Sequence, residues 1–204
     1  MARYKIAPTK TNLFKTKREQ EFAKEGHQLL EQKRDVLVGE LMAMINKALD
    51  AQKAVDEGLR EAYGALEQAV VRMGREKVKA ASQAVSLQAK INAGKREVIG
   101  VRLPVIDVTF EDSPPYYSLR ETSPWLDESV HLFKNVLKLL GSMAQLKISV
   151  FRIAEEVRKT IRRVNALEKI YLPDYEETIK YIENVLDEQS REAFFVLKLI
   201  KSRL

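Results

Sequence analysis

Cysteine is missing from this 204-residue sequence, so neither a disulfide nor a thiolate can serve its structure or chemistry. That absence agrees with a reducing compartment. Glycine and proline are sparse, at eight and six residues, which disfavours a fold built from many tight turns. Only two histidines occur, His27 and His131, and they fall on separate helical stretches. Each is expected to be a surface or packing residue, and no HExxH motif is present. No run of eighteen apolar residues exists, and the opening MARYKIAPTK lacks the apolar centre of a signal peptide. The expectation is a protein soluble by itself, with any membrane association made through partners.

Catalytic apparatus is equally scarce. Residues 89–95 resemble a phosphate loop only at Gly94-Lys95: the leading glycine is missing, and Arg96 stands where Ser or Thr would meet magnesium. Asp174, Glu176, Glu177, Asp187 and Glu188 are interleaved with Lys and Arg, as on a solvated helix face. Trp125 and the tyrosines show no spacing suited to stacking bases. No catalytic residue, cofactor or metal is expected, and a stand-alone enzyme is the least favoured class.

Charge and periodicity are abundant. Charged residues make up 31% of the chain, with a net charge of +6. Residues 1–18 hold six cations and no acid, while residues 189–204 hold four cations against Glu192. The rest is therefore mildly acidic, and both ends are basic. Solvated ends are one reading; a nucleic-acid-binding tip is another.

From Ser123 to Leu204 apolar residues recur at spacings of three and four. They include Phe133, Val136 with Leu137, Leu140, Met143, Val150, Ala154, Val157, Ile161, Val164, Tyr171, Ile179, Ile182, Leu186, Ala193, Val196 and Ile200. This heptad-like seam predicts a single long helix, capped by Ser123 and Pro124. At about 1.5 Å per residue such a helix would run roughly 120 Å and need a long partner. Pro173 should kink it; a break there is the alternative, since Asp174, Glu176 and Glu177 would also suit a fresh start. A second seam, from Ala23 through Leu37, Val55 and Ala62 to Met73, predicts another long helix over about 12–73. Gly26, Gly39, Gly58 and Gly64 lie inside it, either as tolerated weak points or as places of close approach.

Between these helices the pattern changes. Arg75 to Asn92 reads as a short helix ended by Gly94. Residues 97–110 are rich in β-branched residues, with Pro104 implying an edge position or a bulge. A turn at Glu111–Pro115 and a return strand at Tyr116–Arg120 would complete a small β-hairpin. The fold is expected to be mainly α: a long antiparallel two-helix coiled coil with a connector carrying a short helix and a small β-hairpin. Its parts would be residues 1–73, 74–122 and 123–204. Antiparallel pairing brings both basic ends to one tip.

Several stretches resemble one known family. They are Arg162-Arg-Val-Asn-Ala-Leu-Glu168 with Pro173, Glu177-Thr-Ile-Lys-Tyr-Ile182 and Arg191-Glu-Ala-Phe-Phe-Val-Leu-Lys198; Pro8-Thr-Lys-Thr-Asn-Leu13 with 26–35; and Gly100-Val-Arg-Leu-Pro-Val105. Together they span nearly the whole chain in order, and resemble the D subunit of the V-type (A/V-type) rotary ATPase. The resemblance implies a non-catalytic central rotor axle, bound to the F subunit. Its paired termini would enter the hexamer of catalytic A and non-catalytic B subunits. Its other end would dock on the C (or d) subunit above the membrane ring, on the cytoplasmic side. No nucleic acid partner is implied. In that setting Lys10, Lys15, Lys17, Arg18, Lys198 and Lys201 would line a charged, hydrated hexamer-facing tip. A hairpin over 98–119, with Val98, Val101, Pro104, Val105, Phe110 and Tyr117, would touch a neighbouring subunit and regulate turnover. A structural coiled-coil adaptor and a basic-tipped nucleic-acid-binding hairpin are the alternatives.

Overall fold

A computed structural model describes residues 4–85, 88–111, 116–118 and 122–203. The elements in order are α1 (Lys10–Met73), α2 (Arg75–Ala84), β1 (Gln88–Val98), β2 (Val101–Glu111), α3 (Pro124–Ala166), a π-helical turn (Leu167–Tyr171) and α4 (Leu172–Arg203). The architecture is the expected one, a long helix hairpin carrying a short helix and a two-stranded antiparallel sheet. The chain forms two compact units. One holds residues 1–36 and 157–204, the other residues 37–156.

In the first unit the start of α1 runs antiparallel to α4. Lys17 Nζ lies 2.6 Å from Glu183 Oε1. The segment before α1 doubles back along the pair: the Tyr4 ring packs 5.1 Å from the Tyr175 ring, and the Tyr4 amide donates to Thr178 Oγ1 at 3.2 Å. Thr178 is wholly buried and its hydroxyl donates to the Asp174 carbonyl at 2.6 Å, so one side chain satisfies both partners. Thr178→Val keeps the shape and removes both bonds. It should cost about 1–2 kcal/mol and free the Tyr4 segment, read as faster amide exchange at Tyr4; unchanged exchange would contradict this.

The seam is buried, yet not only by the apolar residues the sequence pattern selects. Ile153, Val157, Val164, Ile179 and Ile182 face inward, but so do Thr16, Ser149, Thr160 and Thr178. Thr16 and Ser149 satisfy their hydroxyls on the carbonyls four residues back, Asn12 and Gln145, so they pack as small, internally bonded groups. Leu137, Ile161 and Tyr171, expected in the seam, are exposed, and so are Ala193, Val196 and Ile200. The last three lie on the part of α4 from Asp187 onward, where every described side chain is exposed. Opposite Lys17–Glu183, each step along α4 moves toward the start of α1 at Lys10, so these turns run past the end of their partner.

The helix continues through Pro173. Pro173 lacks an N–H, and its ring would clash with the Lys169 carbonyl in a regular α-helix. The turn before it widens instead: the Leu172 N–H reaches the Leu167 carbonyl, five residues back. A π turn holds one extra residue and rotates the remainder of the helix by about 100°. Beyond it Asp174, Thr178, Ile179 and Ile182 are buried.

In the second unit the rest of α1 runs antiparallel to α3. Tyr63 meets Phe133 edge-on at 5.4 Å, and a Cβ added at Gly58 would lie 3.1 Å from Val136 Cγ2. Gly58 is thus a point of close helix approach within the chain. Ala69, Val78 and Leu126 form a small core that joins α1, α2 and α3, with Tyr117 packed against it.

The connector corrects two expectations. The short helix stops at Ala84, not Asn92, and Gln88–Asn92 belongs to β1, with Gly94 inside the strand. The hairpin turns at Ile99-Gly100, with φ of 53° and 80°, and pairs Val98 with Val101 through to Gln88 with Glu111. Positive φ at both central residues is what a two-residue primed turn requires. Residues 97–110 therefore fold back on 88–98 rather than forming one strand. The expected turn at 112–115 and the return strand's Leu119 and Arg120 lie outside the described residues; Tyr116–Ser118 is not a strand. Pro104 sits opposite Lys95 without a bulge, as a sheet with two edge strands allows.

Candidate interaction surfaces

Among the described residues, no group of three or more His, Asp or Glu side chains is placed to hold a metal, and no helix is long and apolar enough to cross a membrane. Two exposed surfaces stand out.

The first is at the end of the first unit. Lys10, Lys15, Lys17 and Arg18 occupy the opening turns of α1, and Lys198 and Lys201 the closing turns of α4. Antiparallel packing sends both sets toward one end, and all six are exposed. Lys17 is held by Glu183, so its charge is partly spent inside the chain. Apolar side chains accompany these cations. Phe194, Phe195, Leu197, Leu199 and Ile200 are exposed among the cations of α4, and Phe14 and Phe22 are exposed on α1, each by more than half. For the α4 residues the cause is the overhang: apolar positions continue at helical spacing where, among the described residues, no partner helix stands opposite. So many exposed aromatics and leucines along one stretch are unusual on a surface that stays in water. An open apolar groove of about 530 Å³ lies further along the same unit, lined by Phe22, Ala23, Gly26, Leu167, Tyr171 and Tyr175.

The second surface is the hairpin and the face of α3 beneath it. β2 lies on α3 while β1 faces outward, exposed along its length except at Val98. Val101 and Leu103 are buried, Pro104 and Phe110 are half-buried, and Val105 is exposed. Two polar contacts fasten the strand: the Ile106 N–H donates to Gln145 Oε1 at 2.8 Å, and Arg152 Nη1 donates to the Arg102 carbonyl at 2.7 Å. Tyr117 belongs to the helical core instead; its hydroxyl donates to Asp127 Oδ1 at 2.5 Å. Burial first, and then the Asp127 carboxylate, push the Tyr117 phenol well above its usual range.

The two histidines belong to different units. His27 is mostly buried; its Nδ1 lies 3.7 Å from Glu31 Oε2 and its Nε2 has no hydrogen-bond partner. His131 is exposed on α3, where it lines a cleft of about 630 Å³ with Thr109, Lys134 and Lys138. Composition by segment could have flagged this cleft. Between Ser129 and Ala154 the sequence holds Lys134, Lys138, Lys147 and Arg152 and no acid, a basic run hidden within a body that is acidic on average.

Comparison with known proteins identifies the family. A family described as the D subunit of ATP synthase matches residues 12–202. The A-type ATP synthase D subunit of Methanopyrus kandleri is 39% identical over 198 residues, covering 96% of this chain and 85% of that protein. The A-type ATP synthase D subunit of Pyrococcus furiosus is 37% identical over 203 residues, covering 98% and 95%. The V-type ATP synthase D subunit of Thermotoga neapolitana is 35% identical over 200 residues, covering 98% of each.

Proposed function

The chain belongs to the ATP synthase D-subunit family, and from that premise we propose that it is the non-catalytic central rotor axle of a V/A-type ATPase. In this role it couples ATP hydrolysis or synthesis in a hexamer of A and B subunits to proton or sodium transport through a membrane ring. The F subunit binds along it, the C (or d) subunit joins it to the ring, and it lies on the cytoplasmic side of the membrane. Three parts are distinguished in this reading, residues 1–73, 74–122 and 123–204.

The observation that carries the proposal is the antiparallel helix pairing, with a buried seam in each compact unit and a closely packed glycine in the second. A torque-bearing element must resist twist, and paired helices with interlocked side chains do so better than one helix alone. Two unlike helices also present a different face to each catalytic interface. Reconstitution with the catalytic hexamer, followed by imaging and by tracking a bead fixed to this chain, tests the role. Rotation of the bead during ATP hydrolysis is the expected result; a chain that stays outside the hexamer, or stays still while ATP turns over, would refute it.

In this reading Lys10, Lys15, Lys17, Arg18, Lys198 and Lys201 face the hexamer, together with the apolar overhang of α4. Lys17 is the wrong residue to test alone, because reversing it also repels Glu183. The combined change of Lys10, Lys15, Lys198 and Lys201 to Glu leaves that pair intact. Exposed charge contacts contribute about 0.2–1 kcal/mol each, so four reversals should weaken docking in the hexamer by about tenfold or more and lower ATP-driven ion uptake per ATP hydrolysed. Coupling equal to that of the unmodified complex would remove these lysines from the interface. The hairpin, with Val98, Val101, Pro104, Val105 and Phe110, is the proposed contact through which a neighbouring subunit and the ATPase rate communicate.

A further inference from the structure

We propose that the cleft between β2 and α3 receives an acidic segment of a neighbouring subunit, whose carboxylates meet His131, Lys134 and Lys138. The proposal rests on the reading of the chain as one subunit of a larger ATPase, and it identifies the chemistry of the contact at the hairpin. His131, Lys134 and Lys138 follow one another at spacings of three and four, so they share one face of α3. All three line the same cleft, about 630 Å³ in volume, opposite Thr109 and Phe110 of β2. Lys134 Nζ donates to the Tyr116 hydroxyl at 3.0 Å and lies 5.0 Å from that ring, which fixes its stem along the cleft wall. Lys138 Nζ lies 6.0 Å from the centre of the Phe110 ring.

On the helix side the nearest acids, Asp127 and Glu128, stand four and three residues before His131 and outside the cleft lining. No Asp or Glu occurs on α3 from Ser129 to Ala154. The strand side adds Asp107 at the rim. That distribution decides the kind of occupant. The three basic side chains extend over eight residues of helix, about 10 Å along the axis. One phosphoryl group is too small to reach all three, and Asp107 would oppose a compact multiple charge. A segment with carboxylates three to four residues apart matches the repeat of α3. An apolar residue between them would lie on Val108 and Phe110. Complementary charge of this kind orients a partner and speeds its encounter.

The natural lysines supply the test. A zero-length carbodiimide joins an ammonium to a carboxylate it already touches, so it reads carboxylate contact directly. The chain should be assembled with its partner subunits, treated at low salt, digested and mapped by mass spectrometry. The Lys17–Glu183 ion pair, at 2.6 Å, provides an internal positive control. The expected result is an amide link from Lys134 or Lys138 to an Asp or Glu of another subunit, fading as salt rises. Lys134→Glu with Lys138→Glu should then weaken binding of that subunit by about tenfold or more. Formation of the Lys17–Glu183 link in an assembled complex, with none from Lys134 or Lys138 to another chain, would overturn the inference alone. Sodium pyrophosphate at millimolar concentration shielding both lysines from acetylation, again with no intersubunit link, would overturn it in favour of a phosphoryl ligand. Failure of the chain to join the complex would overturn the subunit reading, and this inference with it.

Discussion

Ile182→Ala should destabilise the isolated chain by about 2–5 kcal/mol, whereas Ile200→Ala should change its stability by no more than about 0.5 kcal/mol. Both residues lie at seam spacing on α4, and composition does not separate them. Ile182 is wholly buried in the first unit, beside Thr178 and Ile179 and close to the Lys17–Glu183 pair. Truncating it removes buried apolar surface and leaves a cavity that a helix pair held by Tyr4 and Lys17 can close only in part. Ile200 is 52% exposed and lies in the stretch where every described side chain faces solvent. Urea unfolding followed by helical circular dichroism measures both. A comparable loss from the two variants would mean that the end of α4 is packed in the free chain. In the assembled complex the order of sensitivity should change, because Ile200 and its neighbours Phe194, Phe195 and Leu197 are the residues still available for burial by another subunit.

The second large effect is at Gly141. A Cβ at this position would lie 2.5 Å from Val108 Cγ2, well inside the usual carbon–carbon contact of about 3.5–4.0 Å. Valine cannot swing aside easily, because branching at Cβ stiffens χ1. β2 is also pinned on the approach to Val108, by Gln145 on Ile106 and by Arg152 on Arg102. Two effects compete in Gly141→Leu. Helix propensity gains about 1 kcal/mol. Overpacking costs about 1–3 kcal/mol, and lifting the strand forfeits two hydrogen bonds at about 0.5–1.5 kcal/mol each. The strand should therefore leave the helix. A two-stranded sheet without a supporting face is marginal in water, so the hairpin should lose its order while α3 stays helical. Exchange of the Ile106 amide should accelerate by on the order of a hundredfold, with helical circular dichroism unchanged. An Ile106 amide that stays protected would show that the contact yields without displacing β2. In the complex the same variant tests the hairpin's proposed influence on ATP turnover without deleting any residue.

Gly141 shows why parts of the fold could not be read along the chain. By itself a glycine inside a helix reads as a weak point costing about 1 kcal/mol. Its reason is a valine 33 residues earlier in the sequence, brought above it by the hairpin. The hairpin's own register was hidden for a related cause. Gln88–Gly94 lacks alternation and β-branched residues apart from Ile91, so its local pattern is nearer to helix than strand. It becomes a strand because Val105–Glu111 pairs with it. The turn signal was weak as well, since Ile99 is a poor residue for positive φ and only Gly100 favours it.

The long seams were legible because every turn of a long helix repeats the same requirement, an apolar or small residue on the side that meets a partner. That redundancy determined the two long helices and their antiparallel return, and the placement of lysine and arginine determined the basic ends. Tertiary structure decided where the seam stops, which polar residues it contains, and what Gly58 and Gly141 are for. Those depend on whether another element stands opposite a given turn. Val196 and Ile200 repeat the pattern of Ile179 and Ile182, but burial requires a neighbour, and beyond Asp187 the described residues supply none.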